Sequence, residues 1–482
     1  MKQVADNMTR RSFLKTTAAA TAITAAGPMF IPKHVFGAND RIRVAVLGVH
    51  SRGNSHIQAF MELPNVEVTT LCDPDLNELD RRAKEILEKY NKKVKLVQDL
   101  RKVISDKNID VISIASPNHW HSLTTIWACQ AGKDVYVEKP MSHNIFEGRK
   151  AVEAARKYNR IVQHGTQSRS SESTAKEIAA LQSGKYGKLV VSKGYCCKPR
   201  WSIGFQPIEK APANIDFDIW LGPADAQPFH RNLVHYNWHW FWGTGNGDTG
   251  NQGVHQMDIA RWAIPGATYP KSVWSLGGRF GYKDQGETPN TQLTVFDYGE
   301  VLLLFETRGL VGGDGKSKMA SIVTNEYYTT DGKIHGEKFY PKNGTPEPLE
   351  DLGGIIKPGG NFGNFIDAVR SRKMEDLNAD VLEGHYSSAL CHLSNISYQL
   401  GDQVPFSKKP EALLSNENVF DSFQMIEKNM AWGMGLDLQN ATYQLGRKLN
   451  FDAATEKFMD DEQANSMLTR PYREPYVVRE TV

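Results

Sequence analysis

Between residues 41 and 164 the chain alternates, with little padding, between short β-branched runs and helical stretches. The first run, Arg41-Ile42-Arg43-Val44-Ala45-Val46-Leu47, passes into Gly48-Val49-His50-Ser51-Arg52-Gly53 and a helical stretch to about residue 63. A second run, 66–72, ends at Asp73. Helices at about 75–90, 99–106, 120–131 and 145–157 then alternate with strands at 94–97, 110–115, 134–138 and 160–164. Strands that recur only after an intervening helix pair in parallel, through right-handed crossovers. The pattern predicts an α/β domain with a parallel sheet. Ligands of such sheets lie beyond the carboxyl ends of the strands. Ser116-Pro117-Asn118-His119-Trp120-His121 and Glu138-Lys139-Pro140 fall at those ends.

The first turn has the order of a dinucleotide site: strand, glycine turn, helix, strand, acid. A tight turn aims helix N–H groups at a pyrophosphate, and the acid accepts from an adenosine ribose. Gly48 and Gly53 hold the outer places of Gly-x-Gly-x-x-Gly, but His50 holds the middle one. A side chain there crowds the pyrophosphate unless the turn is wider. Asp73 favours NAD over NADP, because a carboxylate repels a 2′-phosphate. Arg52, reaching the same region, would reverse that preference.

A chain of 482 residues exceeds what one core normally holds, so a second domain is expected. Runs at 188–195, 271–280, 292–297, 301–306 and 318–324 are β-rich and bounded by Gly, Asp and Asn; helical stretches follow near 362–372 and 381–400. The division is 1–38 signal and linker, 39–165 cofactor domain, 166–405 substrate domain and 406–482 tail. The tail ends with Arg470-Pro471-Tyr472-Arg473-Glu474-Pro475, whose aromatic residues predict packing back on the body; a mobile terminus or partner-binding arm is the alternative.

Thr9-Arg10-Arg11-Ser12-Phe13-Leu14-Lys15, followed by an Ala/Thr-rich run at 16–26, reads as an export signal of the twin-arginine type. The alternative is a basic disordered tail. The signal implies passage through the twin-arginine machinery to the periplasm, after folding in the cytoplasm. The five cysteines agree with cytoplasmic folding: they are odd in number and scattered, and read as buried small hydrophobes rather than a disulfide framework. A net charge of +2 leaves no excess of Lys and Arg for a nucleic-acid backbone. The longest apolar stretch is too short and too alanine-rich for a membrane span.

Ser116-Pro117-Asn118-x-x-His121 and Ala131-Gly132-Lys133-x-Val135-x-Val137-Glu138-Lys139-Pro140 resemble the Gfo/Idh/MocA oxidoreductase family. The similarity extends through Gln167-Ser168-Arg169 and Gly250-Asn251-Gln252-Gly253-Val254-His255-x-x-Asp258, and so covers roughly residues 40–400. This family includes glucose–fructose oxidoreductase, inositol dehydrogenases and some NAD-dependent glycosidases. The resemblance implies a Rossmann domain followed by an α/β domain with an open, mainly antiparallel sheet, often in a homo-oligomer formed through that sheet. It implies a cofactor set of Gly48, Ser51, Arg52, Gly53, Asp73, Asn118, His121, Glu138, Lys139 and Gln167.

By the same resemblance Lys139 and His255 are the catalytic pair. A cation stabilises the alkoxide that develops at a carbinol, and an imidazole accepts its proton. A helix from about 250 to 262 would put Asn251 and His255 on one face, four residues apart. Many members carry Asp where Asn251 stands; an amide orients the imidazole but stabilises its cation less, so Asp248 or Asp258 would assist. Arg169, by family position, and Asp258 join the candidate substrate set. Tyr236 and Trp238 lie in His235-Tyr236-Asn237-Trp238-His239-Trp240-Phe241-Trp242, a segment suited to the C–H face of a sugar ring; an aromatic core strand or domain joint is the alternative. No acid or Cys completes a metal set with His230, His235 and His239, and His385 and His392 read as packing residues. The expected activity is oxidation of a carbohydrate hydroxyl with nicotinamide as hydride carrier. The alternatives are an NAD-dependent glycosidase, sugar-to-sugar hydride transfer, or a non-catalytic sugar-binding protein.

Overall fold

A computed structural model describes residues 41–313 and 315–482. The export segment lies outside the described residues.

The βα alternation folds as read, with β1 (Ile42–Leu47), α1 (Ser51–Glu62), β2 (Val66–Cys72), α2 (Leu76–Tyr90), β3 (Lys95–Val97), α3 (Leu100–Ile104), β4 (Val111–Ile114), α4 (Asn118–Gln130), β5 (Asp134–Val137), α5 (Ile145–Lys157) and β6 (Val162–His164). The six strands pair in parallel in the order β3-β2-β1-β4-β5-β6, with the order reversing at β1. Successive strand side chains point to opposite faces, so Ala45 and Leu47 join one core and Val44 and Val46 the other.

The second domain carries α6 (Glu172–Gln182), α7 (Phe217–Leu221) and α8 (Val254–Trp262) beside a large mixed sheet. Its strands are β7 (Leu189–Cys197), β8 (Ser272–Gly278), β9 (Thr291–Asp297), β10 (Leu302–Arg308), β11 (Ile322–Thr329), β12 (Gly332–His335), β13 (Lys338–Pro341), β14 (Glu347–Pro348), β15 (Asp402–Pro405), β16 (Thr442–Leu445), β17 (Leu449–Asp452) and β18 (Lys457–Phe458). The path runs β14-β13-β12-β11-β7-β10-β9-β8-β16-β15, with β17 also on β8. Only β7 and β10 pair in parallel along this path; the other pairs are antiparallel. Phe296, Leu303 and Phe305 face α8 and α10 (Val381–Gln399); Leu276, Leu293 and Leu304 face Leu413, Val419, Phe423 and Ile426 of the chain's own later helices. A helix between them in sequence, α9 (Gly360–Ser371), packs Phe365 and Ile366 on the first domain.

Three features differ from the sequence reading. The strand expected at 318–324 starts at Ile322, because Met319 and Lys318 bond to Gly312 and Gly433 and hold the preceding residues in a loop. The tail supplies strands β16, β17 and β18 as well as packing back; these runs are too short to show a period. The helix expected from 250 begins as a π-turn, Thr249–Gly253, and becomes α-helical only at Val254. A π-turn closes i→i+5 bonds, so Asn251 and His255 are not stacked one turn apart, and no hydrogen bond joins them among the described residues.

Candidate functional site

A cleft opens where the strand order of the first sheet reverses, and it is lined from both domains. Gly48, Ser51, Arg52, Asp73, Asn118, His121, Glu138 and Lys139 line it from the first; Tyr236, Trp238 and Asn251 line it from the second.

The glycine turn is sterically compulsory. Gly48 has φ +77°, and a Cβ there would lie 2.6 Å from the Ala115 carbonyl oxygen; a Cβ on Gly53 would lie 1.8 Å from that of Gly48. Gly53 therefore backs the turn and does not line the cleft. No side chain caps α1, so the N–H groups of its first turn remain for an anion. Asp73 is buried and accepts from Val49 N (2.9 Å) and Asp75 N (3.0 Å). Burial pushes its pKa up to about 6, against the lowering effect of those two bonds. This cradle, uncapped helix and acid fit a dinucleotide's pyrophosphate and ribose.

Glu138 anchors the floor. It accepts from Arg52 Nε (2.6 Å), Lys139 N (3.1 Å) and Gln167 Nε2 (3.3 Å), and contacts His56 Nε2 at 3.1 Å. Burial alone would raise its pKa, but the His56 bond and the Arg52 charge outweigh it and hold the acid ionised. Gln167 thus acts beneath the cleft, through Glu138. His121 has Pro140 O at 2.6 Å and Ser116 O at 2.7 Å on its two ring nitrogens. Asn118 donates to Asn246 Oδ1 (3.0 Å), tying the end of β4 to the second domain.

The reacting end is a connected set. Lys139 Nζ donates to the Asn251 carbonyl, and Asn251 Nδ2 donates to the Tyr236 hydroxyl at 3.2 Å. His239, which sequence reasoning weighed only as an aromatic-segment or metal residue, also lines this wall. Its Nδ1 lies 2.6 Å from the Tyr236 carbonyl oxygen. A carbonyl only accepts, so Nδ1 carries the proton and Nε2 keeps the lone pair. Burial lowers the His239 pKa to about 3, so the ring is neutral. Trp238 stacks on it with ring centroids 3.6 Å apart. Burial, then the nearby Glu138 and Arg52 charges, act on Lys139, with a net lowering of its pKa.

His255, Arg169 and Asp258 do not line the cleft. Burial and then the Lys139 charge lower the His255 pKa to about 3. Arg169 Nε lies 2.9 Å from Asp258 Oδ1, and Ser387 donates to the same oxygen at 2.6 Å. That buried pair joins α8 to the segment after β6 and α10. Among the described residues no group of three or more His, Cys, Asp or Glu is arranged to hold a metal ion. No helix among them is long and apolar enough to cross a membrane.

A parallel sheet with a glycine cradle at its switch point, facing a second domain across a polar cleft, defines a dinucleotide-binding oxidoreductase architecture. Residues 42–166 match the oxidoreductase family with an NAD-binding Rossmann fold, and residues 181–275 and 421–478 match the C-terminal α/β domain of that family. The chain belongs to the Gfo/Idh/MocA oxidoreductase family. Residues 7–27 match the twin-arginine translocation signal sequence. A glycosyl hydrolase family 109 protein of Shewanella baltica is 28% identical over 219 residues, 41% of this chain and 48% of that protein. An α-N-acetylgalactosaminidase of Shewanella oneidensis is 25% identical over the same shares of each chain. The chain thus spans about half the length of the curated relatives it matches. Among solved structures, the WlbA dehydrogenase of Bordetella pertussis, in complex with NADH and UDP-GlcNAcA, superposes with a TM-score of 0.53 at 17% identity, covering 73% of this chain and 95% of that one. A levoglucosan dehydrogenase in complex with NADH gives 0.53 at 16% identity, over 73% and 96%. These two likenesses show the fold.

Proposed function

We propose that this protein is an exported, nicotinamide-dependent enzyme that acts on a hydroxyl of a sugar, polyol or glycoside, with a retained cofactor and a redox-neutral cycle. One observation carries the reading: Lys139 from the cofactor domain and Asn251, Tyr236 and His239 from the second domain form one connected set on the cleft that begins at the Gly48 turn. When bound, the nicotinamide takes up and returns a hydride. Lys139 holds positive charge beside the substrate oxygen and stabilises the alkoxide as it develops. His239 Nε2 accepts the hydroxyl proton, while Nδ1 stays fixed on the Tyr236 carbonyl. Asn251 orients both Lys139 and Tyr236.

NAD is favoured over NADP. A 2′-phosphate would meet the Asp73 carboxylate, and Arg52, the cation able to offset that, is engaged by Glu138. The redox-neutral cycle rests on the twin-arginine match at 7–27, because a soluble nicotinamide pool is not expected outside the cytoplasm. Periplasmic residence is part of the same proposal and is supported by the same signal. Association between copies would involve the start of β11, where Ile322 and Val323 are exposed.

A second reading has its own support in the glycosidase names of the relatives. A ring carbonyl acidifies the neighbouring C–H, so a base on this wall could expel an aglycone before water adds. Incubation of the purified protein with a panel of aryl glycosides and free sugars tests both. Aglycone release without net NADH is expected for the glycosidase, and hydride exchange between sugars for the transfer cycle. Accumulating NADH would restore a simple dehydrogenase, and no reaction of any kind would leave only a sugar-binding protein.

A further inference from the structure

His50 occupies the place where a dinucleotide turn usually has glycine, and its imidazole reaches across the cleft. It stacks on His235 of the second domain, with ring centroids 4.9 Å apart and planes within 7°. His235 Nε2 in turn lies 3.0 Å from Asp75 Oδ2. Asp75 follows the ribose acid by two residues and caps α2, accepting from Asn77 N at 2.9 Å. The oxygen that accepts from Asn77, Oδ1, also takes Asn214 Nδ2 at 2.6 Å.

Backbone bonds reinforce the same junction. Leu76 N donates to Asn214 O (3.0 Å), Asp216 N donates to Pro74 O (2.9 Å), and Asp75 and Ile215 form an antiparallel bridge. Arg82 donates to the carbonyls of Val49 and His50 from α2. Two loops of the second domain are therefore knotted to the single loop that follows β2. The residues at this knot, His50, Pro74 and His235, line the same cleft as Gly48 and Asp73. A dinucleotide held by Ser51 and Asp73 would share the cleft with these residues.

We propose that the His50–His235 stack and its tie to Asp75 form a clasp over the dinucleotide, so that the cofactor is taken up and released only when this contact between the domains opens. The proposal rests on the nicotinamide reading of the cleft and supplies the physical cause of retention. A glycine at position 50 would let a pyrophosphate approach but could make no contact across the cleft. The imidazole makes that contact, and it crowds nothing in the turn because it is directed at His235. The clasp is built from contacts between loops rather than from either hydrophobic core, so it can open without unfolding a domain.

The test uses the full chain loaded with NADH, whose release is followed by fluorescence on dilution into excess NAD. His235→Ala and His50→Gly are each expected to release NADH about tenfold faster, since an aromatic pair of this kind with a hydrogen bond attached contributes roughly a factor of ten. Uptake measured by stopped flow should quicken as well, because a clasp governs passage in both directions. His50→Gly is the sharper variant, since it restores the usual glycine spacing on an exposed residue. If His50 merely crowds the pyrophosphate, this variant binds more tightly and releases more slowly, and the clasp is refuted. Unchanged release in both variants also overturns it. A parent protein that binds no NADH at all would overturn the nicotinamide reading and the clasp together.

Discussion

The first domain's wall of the cleft stands on strand ends, and the second domain's wall stands on loops. Gly48, Asp73, Asn118 and Glu138 each follow a strand of one parallel sheet, so their spacing is set by a hydrogen-bonded ladder. Trp238 and His239 sit in a 3-10 turn that Tyr236 precedes, and Asn251 sits in a π-turn; side-chain bonds and ring stacking hold them. A ladder positions the same cofactor reproducibly, whereas turns can be re-cut for a new substrate without disturbing the core. Lys139 joins the two, being rooted in the first wall and bonded to the second.

That contrast assigns an order to the damage expected from substitution. Lys139→Ala should cost the most, on the order of a thousandfold in turnover, as loss of a preorganised charge does. NADH affinity should stay near the parent value, because the cradle is intact; near-normal turnover would remove Lys139 from the chemistry. Next comes the second wall. His239→Ala should lower kcat by about a hundredfold, the usual worth of a positioned base, and His255→Ala by less. The reverse ranking in steady-state kinetics would return the base to His255.

The smallest effect tests the first wall alone. Asp73 has a pKa raised to about 6 by burial. Ribose hydroxyls donate best to the ionised form, so NAD affinity should be full above that pH. It should fall as the pH drops through 6, by up to about tenfold per unit. Asp73→Asn should flatten the profile measured by calorimetric titration at pH 5 and pH 7.5. A steep profile in that variant would assign the titration to another group.

The same contrast explains what could be read from the residues. Each strand and helix of the first domain was legible, because local hydrophobic period and crossover rules determine the sheet. Eleven of the candidate residues, several of them named only through the family resemblance, line the cleft, among them Asp73, Glu138, Lys139 and Asn251. The second wall was less legible. His239 gave no motif of its own; only the Tyr236 carbonyl beside Nδ1 reveals its free nitrogen. The π-turn at Asn251 leaves no periodic trace, and the Arg169–Asp258 pair, 89 positions apart, cannot be inferred from either residue alone. The tie between Asp75 and His235 spans 160 positions and was equally hidden.

The tail returns to the first domain in a way that bears on how the molecule is made. Tyr476, Val478 and Val482 are buried in the same core as Ala45, Leu47 and Ile114, while β16 and β17 extend the second sheet beside β8. Neither domain can finish its interior from a nascent chain that has reached only its own last strand. The Rossmann half must wait, partly formed, for a segment synthesised long after it, and such distant contacts form slowly. Residues 442–482 thus complete the interiors of both domains together.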